Sequence, residues 1–158
     1  MSFIKNIKQL VDESVNRIDW HQYFMSIALL ASVRSSCKRL KVGCVLTKDN
    51  RIISTGYNGF IKGFKHKSIV RNNHEQATVH AEQNAITDAA LRGVNVNGCN
   101  AYITHYPCIH CFKLLCSINV KNIYYYDNYK NDPLVLELLD KNPIKIIKID
   151  TMIKQEIE

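Results

Sequence analysis

Ile4, Ile7, Val11, Val15 and Ile18 recur at spacings of three and four, the apolar stripe of a helix expected over residues 4–18. That stripe fits packing on the chain's own core or a subunit contact equally well. Asp19 with Gln22 three residues on makes a capping box, so a second, largely buried helix is expected over residues 20–32. The period then shortens. Residues 41–47 and 51–55 read as the strands of a hairpin about the turn Lys48-Asp49-Asn50. Gly56-Tyr57-Asn58-Gly59 is expected to leave the hairpin as a loop, because glycine tolerates backbone angles and close approaches that other residues resist. A polar loop rich in Lys, Asn and His follows to about Gln76, a length that usually signals function.

Downstream, residues 79–91 read as a helix with Gly93 just past its end. Residues 101–104 form a strand, Pro107 sits in the first turn of a helix to about Ser117, and residues 123–126 form the next strand. A helix over 134–139 and a strand over 144–149 complete the pattern. A hairpin followed by alternating helices and strands predicts an α/β fold with a mixed five-stranded sheet and helices on both faces. One domain is expected over 1–158, with 1–18 as an added N-terminal helix and 150–158 as a tail.

With 158 residues, 46% of them hydrophobic, the chain can bury one sizeable core without a linker. The longest mainly apolar run, 27–33, is too short to span a bilayer, and residues 1–18 lack a signal-peptide core, so a soluble, cytoplasmic protein is expected. A net charge of +7 suits an anionic partner. Because no block of five Lys or Arg occurs, a free nucleotide is favoured over a polynucleotide. Of the six cysteines, Cys37, Cys44, Cys99 and Cys116 lie in apolar stretches and read as buried free thiols.

The remaining two, Cys108 and Cys111, are three apart at a helix start, so both thiols project from one face. With His80 they supply three donors, the number that holds a catalytic zinc and leaves a position for water. Zinc between two helix N-termini would favour thiolates and bring the pKa of its water to about seven. Glu82, one residue beyond the histidine, is then free to move protons. Two other readings use the same residues. His105 or His110 could close the site as a fourth ligand, or Cys108 and Cys111 could form a redox pair.

His80-Ala81-Glu82 followed by Pro107-Cys108-Ile109-His110-Cys111 is the signature of zinc nucleobase deaminases. The chain resembles the cytidine deaminase superfamily, and over residues 19–127 its deoxycytidylate (dCMP) deaminase branch. Asp19-Trp20, Tyr23-Phe24-Met25, Arg34-Ser35 with Cys37 and Arg39, Val42-Gly43, Thr55 to Gly59 and His80 to Ile86 carry that closer resemblance. It implies a three-layer cytidine deaminase-like fold with one catalytic Zn2+ per chain. The activity implied is hydrolysis of dCMP to dUMP and ammonia for dTTP synthesis, with hydroxide attack at C4 and Glu82 as proton shuttle. It also implies that Asn58 holds the sugar and the Ala81 amide meets the base carbonyl.

For substrate binding the candidates are Asn58, Ala81, Thr104 and the cations or donors Arg34, Ser36, Arg39, Lys62 and Arg71, each of which also reads as an ordinary surface group. Gly56, Tyr57, Asn58 and Gly59 match a segment that the branch links to activation by dCTP and inhibition by dTTP, with Mg2+ accompanying such an effector; Tyr57 reads equally as a core or interface aromatic. His66 and His74 precede the motif, but Lys67 stands where relatives with a second zinc have cysteine. Ile61 stands where many relatives have proline, and Leu91 where some have an arginine tied to nucleotide regulation. The branch forms homo-oligomers, commonly hexamers. dCTP is a second candidate substrate. The competing functions are deamination of tRNA adenosine or another base, and a zinc-stabilised nucleic-acid binding module without catalysis.

Overall fold

The computed structural model describes residues 2–72, 74–140 and 142–149, with His74 described by its backbone alone. The tail expected over 150–158 lies outside them. In chain order the elements are α1 (Phe3–Glu13), α2 (Trp20–Ser32), β1 (Gly43–Lys48), β2 (Arg51–Tyr57), β3 (Gly59–Phe60), β4 (Val70–Arg71), β5 (His74–Glu75), β6 (Thr78–Val79), α3 (Ala81–Leu91), β7 (Asn100–His105), α4 (Ile109–Ser117), β8 (Asn122–Asp127), α5 (Pro133–Leu139) and β9 (Lys145–Lys148).

Five strands form one mixed sheet in the order β2-β1-β7-β8-β9. β1 runs antiparallel to β2 and β7, whereas β7, β8 and β9 are mutually parallel. Successive strand residues face opposite sides, and the apolar residues divide accordingly. Val45, Tyr102 and Tyr124 pack with Phe24, Met25 and Ala28 of α2. Cys44, Leu46, Ala101, Ile103 and Ile123 meet Ala81 and Ala85 of α3, Phe112 and Leu115 of α4 and Val135 of α5 on the other side. The result is the three-layer α/β arrangement expected.

Several boundaries differ from the sequence pattern. Helix α1 stops at Glu13 instead of 18, because Ser14 takes an extended backbone while its hydroxyl donates to the Leu10 carbonyl at 2.7 Å. No α1 residue is buried, so the stripe does not pack on this chain's core; Ile4 is 74% exposed and Val15, beyond the helix, 95%. The capping box of α2 is present: Gln22 N–H donates to Asp19 Oδ1 at 2.8 Å, and Asp19 N–H to Gln22 Oε1 at 3.2 Å. Yet α2 is buried on one face only, since Leu29 and Leu30 point away from the sheet.

The largest difference concerns Gly56-Tyr57-Asn58-Gly59, which is not a loop. Gly56 and Tyr57 continue β2, and Gly59 pairs with Val79. Val79 is therefore strand instead of helix. The polar stretch that follows is also partly paired, Val70 with Glu75 and Arg71 with His74. Pro107 lies before the α4 cap and not in its first turn, because Cys108 holds the cap position with an extended backbone.

Candidate active site

His80 is the N-cap of α3 and Cys108 that of α4, while Cys111 is the third residue of α4. Both helices start at these residues: Asn84 N–H reaches the His80 carbonyl and Phe112 N–H the Cys108 carbonyl, each at 2.9 Å. Gln83 folds back so that its side chain accepts from His80 N–H at 3.0 Å, an arrangement that fixes the histidine backbone and leaves its ring free to turn toward α4. Ser54 of β2 anchors α3 by donating to the Ala85 carbonyl at 2.7 Å.

The imidazole Nδ1 of His80 lies 3.6 Å from Cys108 Sγ and 3.4 Å from Cys111 Sγ, and all three donor atoms fall within 4.8 Å of one another. Zinc bonds of about 2.0 Å to nitrogen and about 2.3 Å to sulfur give tetrahedral ligand separations of roughly 3.5 Å. The three donors therefore fit zinc. His110 is exposed and His105 points its Nδ1 at Thr104, so among the described residues the group has three members and no fourth protein ligand.

The electrostatics agree with the donor chemistry. Hydrogen bonding from Cys111, and then from His80, pulls the Cys108 thiol down to about 3. Cys111 moves the other way, because it gives its proton to Cys108 and is buried. The His80 pKa is raised, chiefly by its hydrogen bond with Cys108. Glu82, only 4% exposed, has its carboxyl pushed above the usual range by burial. It lines the same cleft as His80, Cys108, Ala81 and Asn58.

Residues 18–127 match the family described as "Cytidine and deoxycytidylate deaminase zinc-binding region". The chain belongs to this family of deaminases. It is 39% identical to ComE operon protein 2 of Bacillus subtilis (strain 168), over 88% of this chain and 77% of that protein. It is 31% identical to the deoxycytidylate deaminase of Schizosaccharomyces pombe, over 82% of this chain but 44% of the longer relative. Among solved structures, the dCMP deaminase of cyanophage S-TIM5 in complex with dCMP and dUMP superposes with a TM-score of 0.75 at 29% identity, covering 85% of this chain and 99% of that one.

Within this deaminase fold the sequence candidates separate. Asn58 lines the cleft but is tied into its wall: Oδ1 accepts from Ser35 Oγ at 2.6 Å and Val42 N–H at 2.8 Å, and Nδ2 donates to the Leu40 carbonyl at 2.8 Å. Of the cationic and polar candidates only Arg39 lines the cleft; Arg34, Ser36, Lys62 and Arg71 are exposed and lie outside its lining. Thr104 is 1% exposed behind the wall, accepting from Gly43 N–H at 3.1 Å.

Gly56 is pressed against α3, and the Tyr57 carbonyl accepts from Asn84 at 2.8 Å, so Asn58 is the one member of the Gly56–Gly59 group on the cleft. His66 stacks on Phe60 with ring centroids 4.9 Å apart. Glu75, His105, Tyr106, Tyr129 and Lys130 line the cleft as well; the sequence offered His105 only as a fourth zinc ligand, and the other four did not stand out as binding residues. His105, Tyr129 and Lys130 lie at or just past the C-terminal ends of β7 and β8. Parallel strands in α/β sheets place their ligand crevice there, a rule that would have found them.

Proposed function

We propose that the chain is a zinc-dependent dCMP deaminase, converting dCMP and water to dUMP and ammonia. The observation that carries this reading is the convergence of His80, Cys108 and Cys111 within 4.8 Å beside a buried Glu82 in one cleft. Zinc, when held by these three residues, lowers the pKa of a coordinated water to about seven. Glu82 takes a proton from the attacking water and passes it to the ring nitrogen next to C4, then relays the second proton, from the hydroxyl newly bonded to C4, to the amine, so that the C4–N bond breaks with release of ammonia and the C4 carbonyl forms. Its raised pKa suits both halves of that task, since the carboxyl holds a proton more readily than an exposed one.

In this reading the Ala81 main chain, at the start of α3, meets the base carbonyl, and Asn58, on the cleft lining, holds the sugar. Arg39 and Lys130, both on the cleft lining, support recognition of a phosphate at the open end. The dCMP and dUMP complex of the S-TIM5 enzyme and the deoxycytidylate deaminase of fission yeast support dCMP as substrate. A single domain acting on the cytoplasmic nucleotide pool, with dCTP and dTTP (with Mg2+) as effectors, extends the same reading. The uncovered stripe of α1 supports assembly into a homo-oligomer, with a hexamer favoured.

Ammonia release from dCMP, dCTP, cytidine and RNA tests the proposal. Turnover of dCMP above the other three is expected; activity on RNA with none on free nucleotides would overturn it.

A further inference from the structure

Besides the buried Glu82, the Lys, Arg, Asp and Glu side chains on the cleft lining are Arg39, Lys130 and Glu75. Arg39 and Lys130 are exposed and Glu75 is half-buried, so these three set the charge where the cleft meets solvent. Glu75 is the carboxylate among them, and its own segment holds it in place. Oε1 accepts from the Ile69 and Ala77 amides, each at 2.9 Å, and Oε2 accepts from the Ser68 hydroxyl. Beside them Gln76 N–H donates to the Ile69 carbonyl at 2.7 Å. The carboxylate thus clasps the entry of the β4–β5 hairpin to its exit, and Ala77 leads straight into β6 and His80.

The same donors keep Glu75 charged. The Ser68 hydrogen bond foremost, then the two amides and the positive charge of Arg39, hold its carboxyl below the usual carboxylate range, with desolvation opposing. A nucleoside monophosphate brings about two negative charges, which Arg39 and Lys130 offset. Every further phosphate adds about one more, next to a carboxylate that its three donors keep from withdrawing. Like charges brought together in this way favour the shorter ligand.

We infer that Glu75 is a specificity-determining residue of the cleft, one that discriminates against di- and triphosphates in favour of the monophosphate. The inference rests on the reading of the cleft as a dCMP deaminase site with its phosphate end at Arg39 and Lys130.

Glu75→Gln removes the charge with little change of shape, because the amide oxygen still accepts from Ile69 and Ala77 and the amide nitrogen donates to Ser68. Zinc-loaded parent and variant each receive an equimolar mixture of dCMP and dCTP, and the dUMP and dUTP formed are resolved by ion-exchange chromatography. Their ratio reports the ratio of kcat/KM values, and an effector bound elsewhere acts on both reactions alike. The variant is expected to raise dUTP relative to dUMP by roughly two- to tenfold at low ionic strength, the scale of added charges beside an exposed carboxylate, with the gain shrinking at about 0.5 M salt. Ser68→Ala, which loosens the clasp and keeps the charge, should leave the ratio at the parent value. An unchanged ratio in Glu75→Gln, a change that salt does not reduce, or an equal change in Ser68→Ala overturns the specificity role and leaves the deaminase reading intact. A folded, zinc-loaded parent that forms neither product overturns both.

Discussion

A β-carbon on Gly56 would lie 2.2 Å from the Ala81 carbonyl oxygen and 2.5 Å from the Ala85 amide nitrogen, so β2 and the start of α3 touch backbone to backbone. Neither neighbour is a side chain that could swing aside. Gly56→Ala must therefore push α3 off the sheet, carrying His80 and Glu82 with it. The expected outcome is a stability loss of at least the roughly 1–3 kcal/mol typical of overpacking, with reduced zinc content. Denaturant unfolding and metal analysis of the same preparation check both halves.

Glu82→Gln should lower turnover by about a hundredfold to ten-thousandfold, the range for one general acid or base, while zinc stays bound. Stability supplies an independent reading. The Glu82 pKa is raised in the folded chain, so the folded state binds this proton more tightly than the unfolded one. Its ionisation weakens the fold as pH rises past the unfolded value of about 4.3. Metal-free Glu82→Gln, which has no such charge, should gain stability relative to the parent as pH rises above about 4.3, a comparison that denaturation at several pH values makes directly.

Zinc binding should fail in acid. Metal and protons compete for the same three atoms, and the raised His80 pKa lets protons return to that ring at a higher pH than an ordinary histidine would allow. Dialysis across a pH series followed by metal analysis should show about one zinc per chain at neutral pH, falling as pH drops. Cys108→Ala should hold none at any pH.

Asn58→Ala should unfold more easily before any question of substrate arises. The side chain satisfies the Val42 amide and the Leu40 carbonyl, and stranding a buried polar group costs about 1–3 kcal/mol. A thermal midpoint lowered by several degrees is expected, together with a raised KM.

If the α1 stripe is a subunit contact, placing glutamate at Ile4 and Val11 together should shift the protein toward smaller species. These side chains are 74% and 63% exposed in the single chain, so the change costs the isolated fold little. Light scattering after gel filtration reads the result.

The cysteine pair of the His80, Cys108 and Cys111 cluster and the layer order were legible because they depend on local spacing. Cys108 and Cys111 declare a shared face by their separation, and Asp19 with Gln22 declares a helix start, whatever the rest of the chain does. What stayed hidden depends on pairing between distant segments. Gly56 reads as a flexible residue, but its role is to let α3 approach. Asn58 reads as a ligand contact, yet its hydrogen bonds join the backbone near 40–42 to Ser35. Arg34 and Arg71 were as plausible as Arg39 from charge alone; only the course of the chain separates the arginine on the cleft from those outside it.

His80 and Cys108 are each the cap residue of a helix, 28 positions apart in the chain. A metal held there would work as a cross-link as well as a reagent: it would fasten the first turns of α3 and α4 to each other and close the intervening segment, as a disulfide closes a loop. Losing the ion would therefore release two helix starts at once. Protection of the amides near 81–84 and 109–112 against hydrogen exchange becomes a gauge of metal occupancy that needs no substrate.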